Sequence, residues 1–219
     1  MKCSAVIFDM DGTMLDTEPT YRVIFDRAAA DCAIEFPKSL HFELLGRSAA
    51  DARTILLGHW DNDTARLDRF LDRCRHHHER CFETSPPQLK DGLLDLLDFL
   101  ESRHVPKVVA TSTPRGHAIP RLENAGLLHR FISVTTGDQV ARGKPAPDLF
   151  LLAASTIPAP PGECVVLEDS EVGVRGAHAA GMTVFMIPDL KQPCVLTRPL
   201  AHVVFASLRE VHQHLLAAL

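Results

Sequence analysis

No apolar run in this 219-residue chain approaches the ~20 residues needed to cross a bilayer as a helix. A membrane-spanning helix is therefore not expected. Nor does a charged segment, a short apolar stretch and a small-residue cleavage site precede the first strand-like run, which follows directly on Met1-Lys2-Cys3-Ser4. The expectation is a cytoplasmic protein. Basic residues are not in excess: 23 Lys and Arg stand against 28 Asp and Glu, a net charge of −5. That balance offers no general attraction to nucleic acid or to an anionic membrane, so neither is an expected partner. The six cysteines, at 3, 32, 74, 81, 164 and 194, are scattered through a chain too long for a disulfide scaffold, and are read as reduced, mostly buried thiols. Cys74 and Cys81 flank three histidines, but the segment reads as helix and lacks the turn that closes a compact zinc site, so a solvated helix face is expected there. Internal repeats are absent, and the one biased stretch, Ile157-Pro158-Ala159-Pro160-Pro161-Gly162, reads as a surface loop.

What is there is an ordinary globular composition, 46% apolar and 23% charged, with a strong alternating pattern. Strand-like apolar runs recur near residues 4–9, 105–111, 131–135, 164–168, 182–187 and 202–205. Helical patterns lie between the later ones. Asp91 to Arg103 carries a wide leucine stripe, and Arg115 to Leu127 follows Pro114 and has Gly126 near its end. Pro147 to Thr156 and Glu171 to Ala180 repeat the theme, the last followed by Gly181. Strand and helix in alternation imply parallel βαβ units with right-handed crossovers. From about Thr17 to Pro86 the rhythm breaks: the segment reads as entirely helical. At about 70 residues it is too long for one crossover and is read as an inserted domain. The expected architecture is an α/β Rossmann-like, doubly wound parallel sheet core, residues 1–16 and 87–219, with an all-helical cap domain, residues 17–86, inserted into it.

Four short segments fall just after predicted strands, where ligands bind in an open parallel sheet. The first is Phe8-Asp9-Met10-Asp11-Gly12-Thr13. A carboxylate at a strand end can be a metal ligand, a nucleophile or a helix cap, and Asp with Gly alone favours turn chemistry. Asp11 alters the reading, because side chains two apart in a turning loop can reach one ligand. One carboxylate can then attack phosphorus while the other handles the leaving-group proton. The second segment is Ala110-Thr111-Ser112-Thr113, in which the Thr111 hydroxyl and the amides after it suit a phosphate oxygen. The third, Gly143-Lys144-Pro145, supplies a cation, unless Lys144 is simply a solvated charge before a helix. The fourth, Leu167-Glu168-Asp169-Ser170, places two acids at a strand's end, a set that suits a divalent cation such as Mg²⁺. Together these parts meet the needs of phosphoryl transfer, which are positioning and charge neutralisation.

The set Asp9-x-Asp11-Gly12-Thr13, Thr111, Lys144 in Gly-Lys-Pro, and Glu168-Asp169 resembles the haloacid dehalogenase superfamily. The helical insertion after the first motif, and Glu168-Asp169-Ser170-x-x-Gly173-Val174, look like its β-phosphoglucomutase-like branch. By that resemblance Asp9 is the nucleophile that forms an aspartyl-phosphate, and Asp11 protonates the leaving alcohol and then activates water. The resemblance also implies a Mg²⁺ cofactor held by the Asp9 and Asp169 side chains and the Asp11 backbone carbonyl, with Glu168 a direct or water-mediated ligand. Thr111, Ser112 and Lys144 would hold the phosphoryl group.

Within the superfamily, dehalogenases lack the second aspartate, so Asp11 argues against that activity. The phosphonate hydrolase uses a cap lysine as a Schiff base; Lys38, the only lysine between Thr17 and Pro87, lies beside Pro37 with no evident activation. A sugar phosphomutase of the β-phosphoglucomutase type is the main alternative. Those mutases carry a cap histidine where Thr20-Tyr21 stands here, an arginine where Ala49 stands, and a Lys-Asn pair where Pro114-Arg115 stands. These departures favour a phosphatase acting on a small phosphorylated metabolite, as a monomer or small homo-oligomer. Arg47, Arg115 and Glu18 are the further candidates for substrate contact, against plainer roles as surface arginines and a helix-start acid. A non-catalytic phosphate-binding protein is the remaining reading from another class.

Overall fold

The structure, a computed structural model, describes residues 2–45, 49–84 and 87–217. In chain order the elements are β1 (Ala5–Phe8), β2 (Leu15–Asp16), α1 (Glu18–Cys32), α2 (Lys38–Leu44), α3 (Ala49–His59), α4 (Thr64–Thr84), β3 (Gln88–Leu89), α5 (Leu93–Ser102), β4 (Lys107–Thr111), α6 (Arg115–Asn124), β5 (Val134–Thr136), α7 (Asp148–Ala154), β6 (Cys164–Glu168), α8 (Glu171–Ala179), β7 (Thr183–Met186), β8 (Val203–Val204) and α9 (Leu208–Leu216). They divide into two compact units, residues 1–16 with 88–219 and residues 17–87.

The larger unit is built on a six-stranded parallel sheet in the order β5-β4-β1-β6-β7-β8. β1 sits between β4 and β6, with Phe8 opposite Val109 on one side and Leu167 on the other. All four β1 residues are buried, as are those of β4 and β6, because helices cover both faces of the sheet. The period-2 alternation sorts the side chains. Val6, Phe8, Val109, Val165, Leu167 and Phe185 join the apolar stripes of α5, α6 and α9. Ile7, Val108, Ala110, Val166, Val184 and Met186 join those of α7 and α8. The chain runs from β1 outward to β4 and β5, then returns to β6, β7 and β8. That reversal makes the carboxyl ends of β1, β4 and β6 the topological switch point, where open α/β sheets bind ligands.

The Rossmann-like α/β core expected from the sequence is therefore present, with small shifts at the element ends. β4 begins at Lys107, because Pro106 has no N–H to add to the ladder; its carbonyl accepts from the Val6 N–H at 2.9 Å instead. α6 stops at Asn124, and the chain turns at Gly126, whose φ of +69° is the left-handed region.

The smaller unit is helical among its described residues, with α1 to α4 in sequence. Its core is aromatic: Phe36 and Phe70 stack at 5.4 Å, and Trp60 meets Phe70 edge-on at 5.0 Å. No helix among the described residues is long and apolar enough to cross a membrane.

Candidate active site

β1 ends at Phe8, and the Asp9 N–H still donates to the Leu167 carbonyl of β6 at 3.0 Å, so Asp9 is held in line with the sheet. The chain then turns at Gly12, with φ of +85°. A Cβ at Gly12 would lie 2.4 Å from Asp169 Oδ2, so only glycine lets this turn approach the end of β6 so closely. Thr13 donates its hydroxyl to Asp169 Oδ1 at 3.2 Å and fixes that carboxylate from the opposite loop. Glu168 is fully buried as the last residue of β6. Its Oε2 accepts from the Ser170 N–H at 3.0 Å and the Ser170 hydroxyl at 2.9 Å; the same Ser170 oxygen caps α8 by accepting from the Gly173 N–H.

Lys144 comes from the loop before α7 and is buried, not a solvated charge. Its ammonium donates to Asp9 Oδ1 at 2.5 Å, to Glu168 Oε1 at 2.5 Å and to the Ala110 carbonyl at the end of β4 at 3.3 Å. One cation thus ties together the loop and the ends of β1, β4 and β6. Burial opposes the charge on Lys144, but the Asp9 and Glu168 carboxylates outweigh burial and hold the ammonium above its ordinary pKa. Asp9 is pushed up to about 7, first by burial and then by Glu168, with Lys144 pulling the other way. The two directions are compatible because one ammonium is shared between two acids, which leaves Asp9 incompletely compensated. Burial, reinforced by Glu168 and Asp9, also raises Asp169 well above the usual carboxylate range.

Asp9, Glu168 and Asp169 can each place an oxygen within 4.8 Å of the others. Three buried or half-buried carboxylates around one ammonium leave an excess of negative charge, and the donors are all hard oxygen. That set fits a hard divalent cation. Among the described residues, no other His, Cys, Asp or Glu cluster has metal-ligand spacing, and the Cys74–Cys81 stretch lies within α4 with His77 paired to Asp31 at 2.8 Å.

The structure brings together Asp9, Asp11, Thr111, Lys144, Glu168 and Asp169 at the carboxyl ends of β1, β4 and β6. Thr111 is buried at the end of β4, where its hydroxyl oxygen accepts from the Thr113 N–H at 3.1 Å; Ser112 next to it is exposed. Arg115 does not join the cluster. It is the first residue of α6, and it faces β5: its guanidinium donates to the Val134 carbonyl at 3.5 Å and its backbone N–H to the Asp138 carboxylate. The expected substrate contact by Arg115 finds no support in this geometry, because Val134 and Asp138 hold its guanidinium and its backbone N–H at the edge of the sheet. Glu18 opens α1 in the helical unit, 3.5 Å from His41 Nε2, and lines with Tyr21, Phe25 and Phe70 a cavity of about 620 Å³ inside that unit. Arg47 lies outside the described residues.

Sequence reasoning missed Arg121, and it quoted Thr113 within the second segment without giving it a role. Arg121 of α6 forms an ion pair with Asp11 Oδ1, and the Thr113 hydroxyl donates to Asp11 Oδ2 at 2.7 Å. A signal existed for Arg121: it shares the buried face of α6 with Ala118 and Leu122, so a charge stands where the stripe calls for an apolar residue.

Comparison with known proteins agrees with this geometry. Residues 3–181 match a family of hydrolases described as haloacid dehalogenase-like hydrolase. A phosphorylated carbohydrates phosphatase of Thermotoga maritima is 34% identical over 178 residues, 81% of this chain and 82% of that protein. The fructose-1-phosphate phosphatase YqaB of Escherichia coli is 34% identical over 183 residues, 82% of this chain and 93% of that protein. Among solved structures, a candidate beta-phosphoglucomutase from Thermotoga maritima superposes with a TM-score of 0.80 at 30% identity, covering 99% of this chain and all of the other. With its four motifs gathered at the carboxyl ends of β1, β4 and β6, this chain belongs to the haloacid dehalogenase-like hydrolase family.

Proposed function

We propose that this protein is a Mg²⁺-dependent phosphatase that hydrolyses the phosphomonoester of a small phosphorylated metabolite, a sugar or polyol phosphate, through an aspartyl-phosphate. The observation that carries the reading is the position of Asp9. It is a buried carboxylate at the topological switch point, in contact with one buried ammonium and beside two further acids. An oxygen of Asp9 forms a bond to phosphorus as the bond from phosphorus to the leaving oxygen breaks, its electron pair staying on that oxygen. Asp11 gives that oxygen a proton, and the alcohol departs. Asp11, now a carboxylate, takes a proton from water, whose oxygen attacks phosphorus and returns Asp9 as a free carboxylate. Lys144 and Thr111 hold the phosphoryl oxygens, with Ser112 at the same loop. Glu168 keeps Lys144 aimed inward.

The Asp9 and Asp169 carboxylates and the Asp11 backbone carbonyl would hold the Mg²⁺. Both oxygens of Glu168 already accept hydrogen bonds, so we assign it to the surroundings of the ion. When bound, the cation offsets the negative charge that a phosphate adds to this acidic cluster. We assign the helical unit, residues 17–87, the part of a cap that selects the substrate, with Glu18 among its candidate contacts. The relatives acting on phosphorylated carbohydrates and on fructose 1-phosphate support a phosphorylated sugar as substrate.

Phosphate release from 4-nitrophenyl phosphate in Mg²⁺ tests the reading, with Asp9→Asn expected to abolish turnover. Full activity in purified Asp9→Asn protein, or turnover that persists in EDTA, would overturn it. Conversion of β-glucose 1-phosphate in the presence of a bisphosphate primer, faster than its hydrolysis, would favour the phosphomutase.

A further inference from the structure

We infer that Arg121 is a positioning residue for leaving-group protonation, acting through Asp11. This rests on the role proposed above for Asp11. Arg121 is 2% exposed and sits on the apolar face of α6 between Ala118 and Leu122. A guanidinium does not lose its proton in a protein, so a buried one needs a partner of opposite charge. Its carboxylate partner here is Asp11, two residues beyond the proposed nucleophile. A second tether reaches the same carboxyl group, since the Thr113 hydroxyl donates to its other oxygen at 2.7 Å. Both tethers come from one stretch of chain, the loop and helix that follow β4, and neither involves Lys144. Lys144 serves Asp9 and Glu168.

A carboxyl group with one donor on each oxygen has its plane fixed, yet each oxygen keeps a second lone-pair direction. That suits a group that must both give and take a proton at one place. As the bond from phosphorus to the leaving oxygen breaks, the Asp11 proton passes to that oxygen and the negative charge passes to Asp11. The Arg121 guanidinium already faces the oxygen on which that charge forms. The contribution therefore depends on how much the leaving group needs a proton. An alkoxide needs one; 4-nitrophenolate does not.

The test compares kcat for glycerol 1-phosphate and 4-nitrophenyl phosphate in the full-length protein with Mg²⁺. Arg121→Met keeps the apolar stripe of α6. It is expected to lower kcat on the alkyl ester by about tenfold or more beyond its effect on the aryl ester. Arg121→Lys, which restores a cation of different shape, is expected to recover part of that difference. Thr113→Val removes the second tether without touching α6 and is expected to shift the same ratio, so the inference stays testable if Arg121→Met does not fold. Equal losses on both esters in Arg121→Met and Thr113→Val would overturn it and leave Arg121 a purely structural pair. Absence of any wild-type turnover on either ester would instead overturn the phosphatase reading, and the inference with it.

Discussion

A Cβ on Gly173 would lie 1.8 Å from Glu168 Oε1, so the first turn of α8 packs its backbone directly against the carboxylate that shares Lys144. Glu168 cannot yield, since Lys144 holds one of its oxygens and Ser170 the other. Gly173→Ala is therefore expected to cost about 1–3 kcal/mol of stability by overpacking and to disturb the Lys144 position. Urea denaturation with a phosphate-release assay checks this. A variant of wild-type stability and activity would show that α8 can move away from Glu168.

Lys144 is the shared counter-ion of two buried acids, so its loss is worse than the loss of one surface charge. Lys144→Met is expected to destabilise the fold by about 3–5 kcal/mol, the usual cost of leaving a buried charge without its partner. Chemical denaturation gives the number directly. A cost under about 1 kcal/mol would mean that the Asp9 and Glu168 carboxyls adapt without a cation, and that the ammonium is not what holds them in place.

The acidic excess around Asp9 and Asp169 makes a prediction that needs no turnover. Mg²⁺ is expected to raise the melting temperature, by an amount equivalent to about 2.7 kcal/mol at a hundredfold excess over its dissociation constant. Asp169→Asn is expected to remove most of that increment. An equal Mg²⁺ shift in wild type and variant would place the cation elsewhere.

Away from the site, Glu101 at the end of α5 accepts from Arg130 at 2.7 Å and pairs with Lys107 at 2.8 Å. Hydrogen bonds from Arg130 and Lys107 hold its carboxyl down to about 2, against a small opposing effect of burial. A depressed carboxylate stabilises the fold above its ordinary range near pH ~4.3, and that contribution fades as pH falls toward about 2. Because the side chain is partly exposed, the contribution is modest, about 0.5–1 kcal/mol. Thermal melts of Glu101→Gln and wild type are expected to differ at pH 7 and to converge only as pH falls below about 2. A difference that grows toward low pH would contradict the sign.

Much of the fold was legible because its signals are local. Ala5 to Phe8 and Cys164 to Leu167 read as continuous apolar runs because both faces of those strands are covered by helices. The leucine stripe of α5 read as helix because its period matches one buried face. Asp9, Asp11 and Glu168-Asp169 were legible for the same reason: each ends or follows a strand, and in a parallel sheet those positions meet at one edge, while Lys144 stood out as the cation of a Gly-Lys-Pro loop before a helix. Which side chain would pair with which was not local. Nothing in the order of residues says that the Arg121 cation turns to Asp11 while Arg115, six residues earlier on the same helix, turns to Val134. Nor does it say that Glu18 pairs with His41, 23 positions along the chain. Those partners are set by the rotation of α6 against the sheet and by the packing of α1 with α2. Residue order alone specifies the sheet, its two covered faces and the acids at its carboxyl edge, because hydrophobic period and chain topology are encoded residue by residue. How the charges pair at that edge is settled in three dimensions, because pairing depends on distances across elements that come together only in the folded protein.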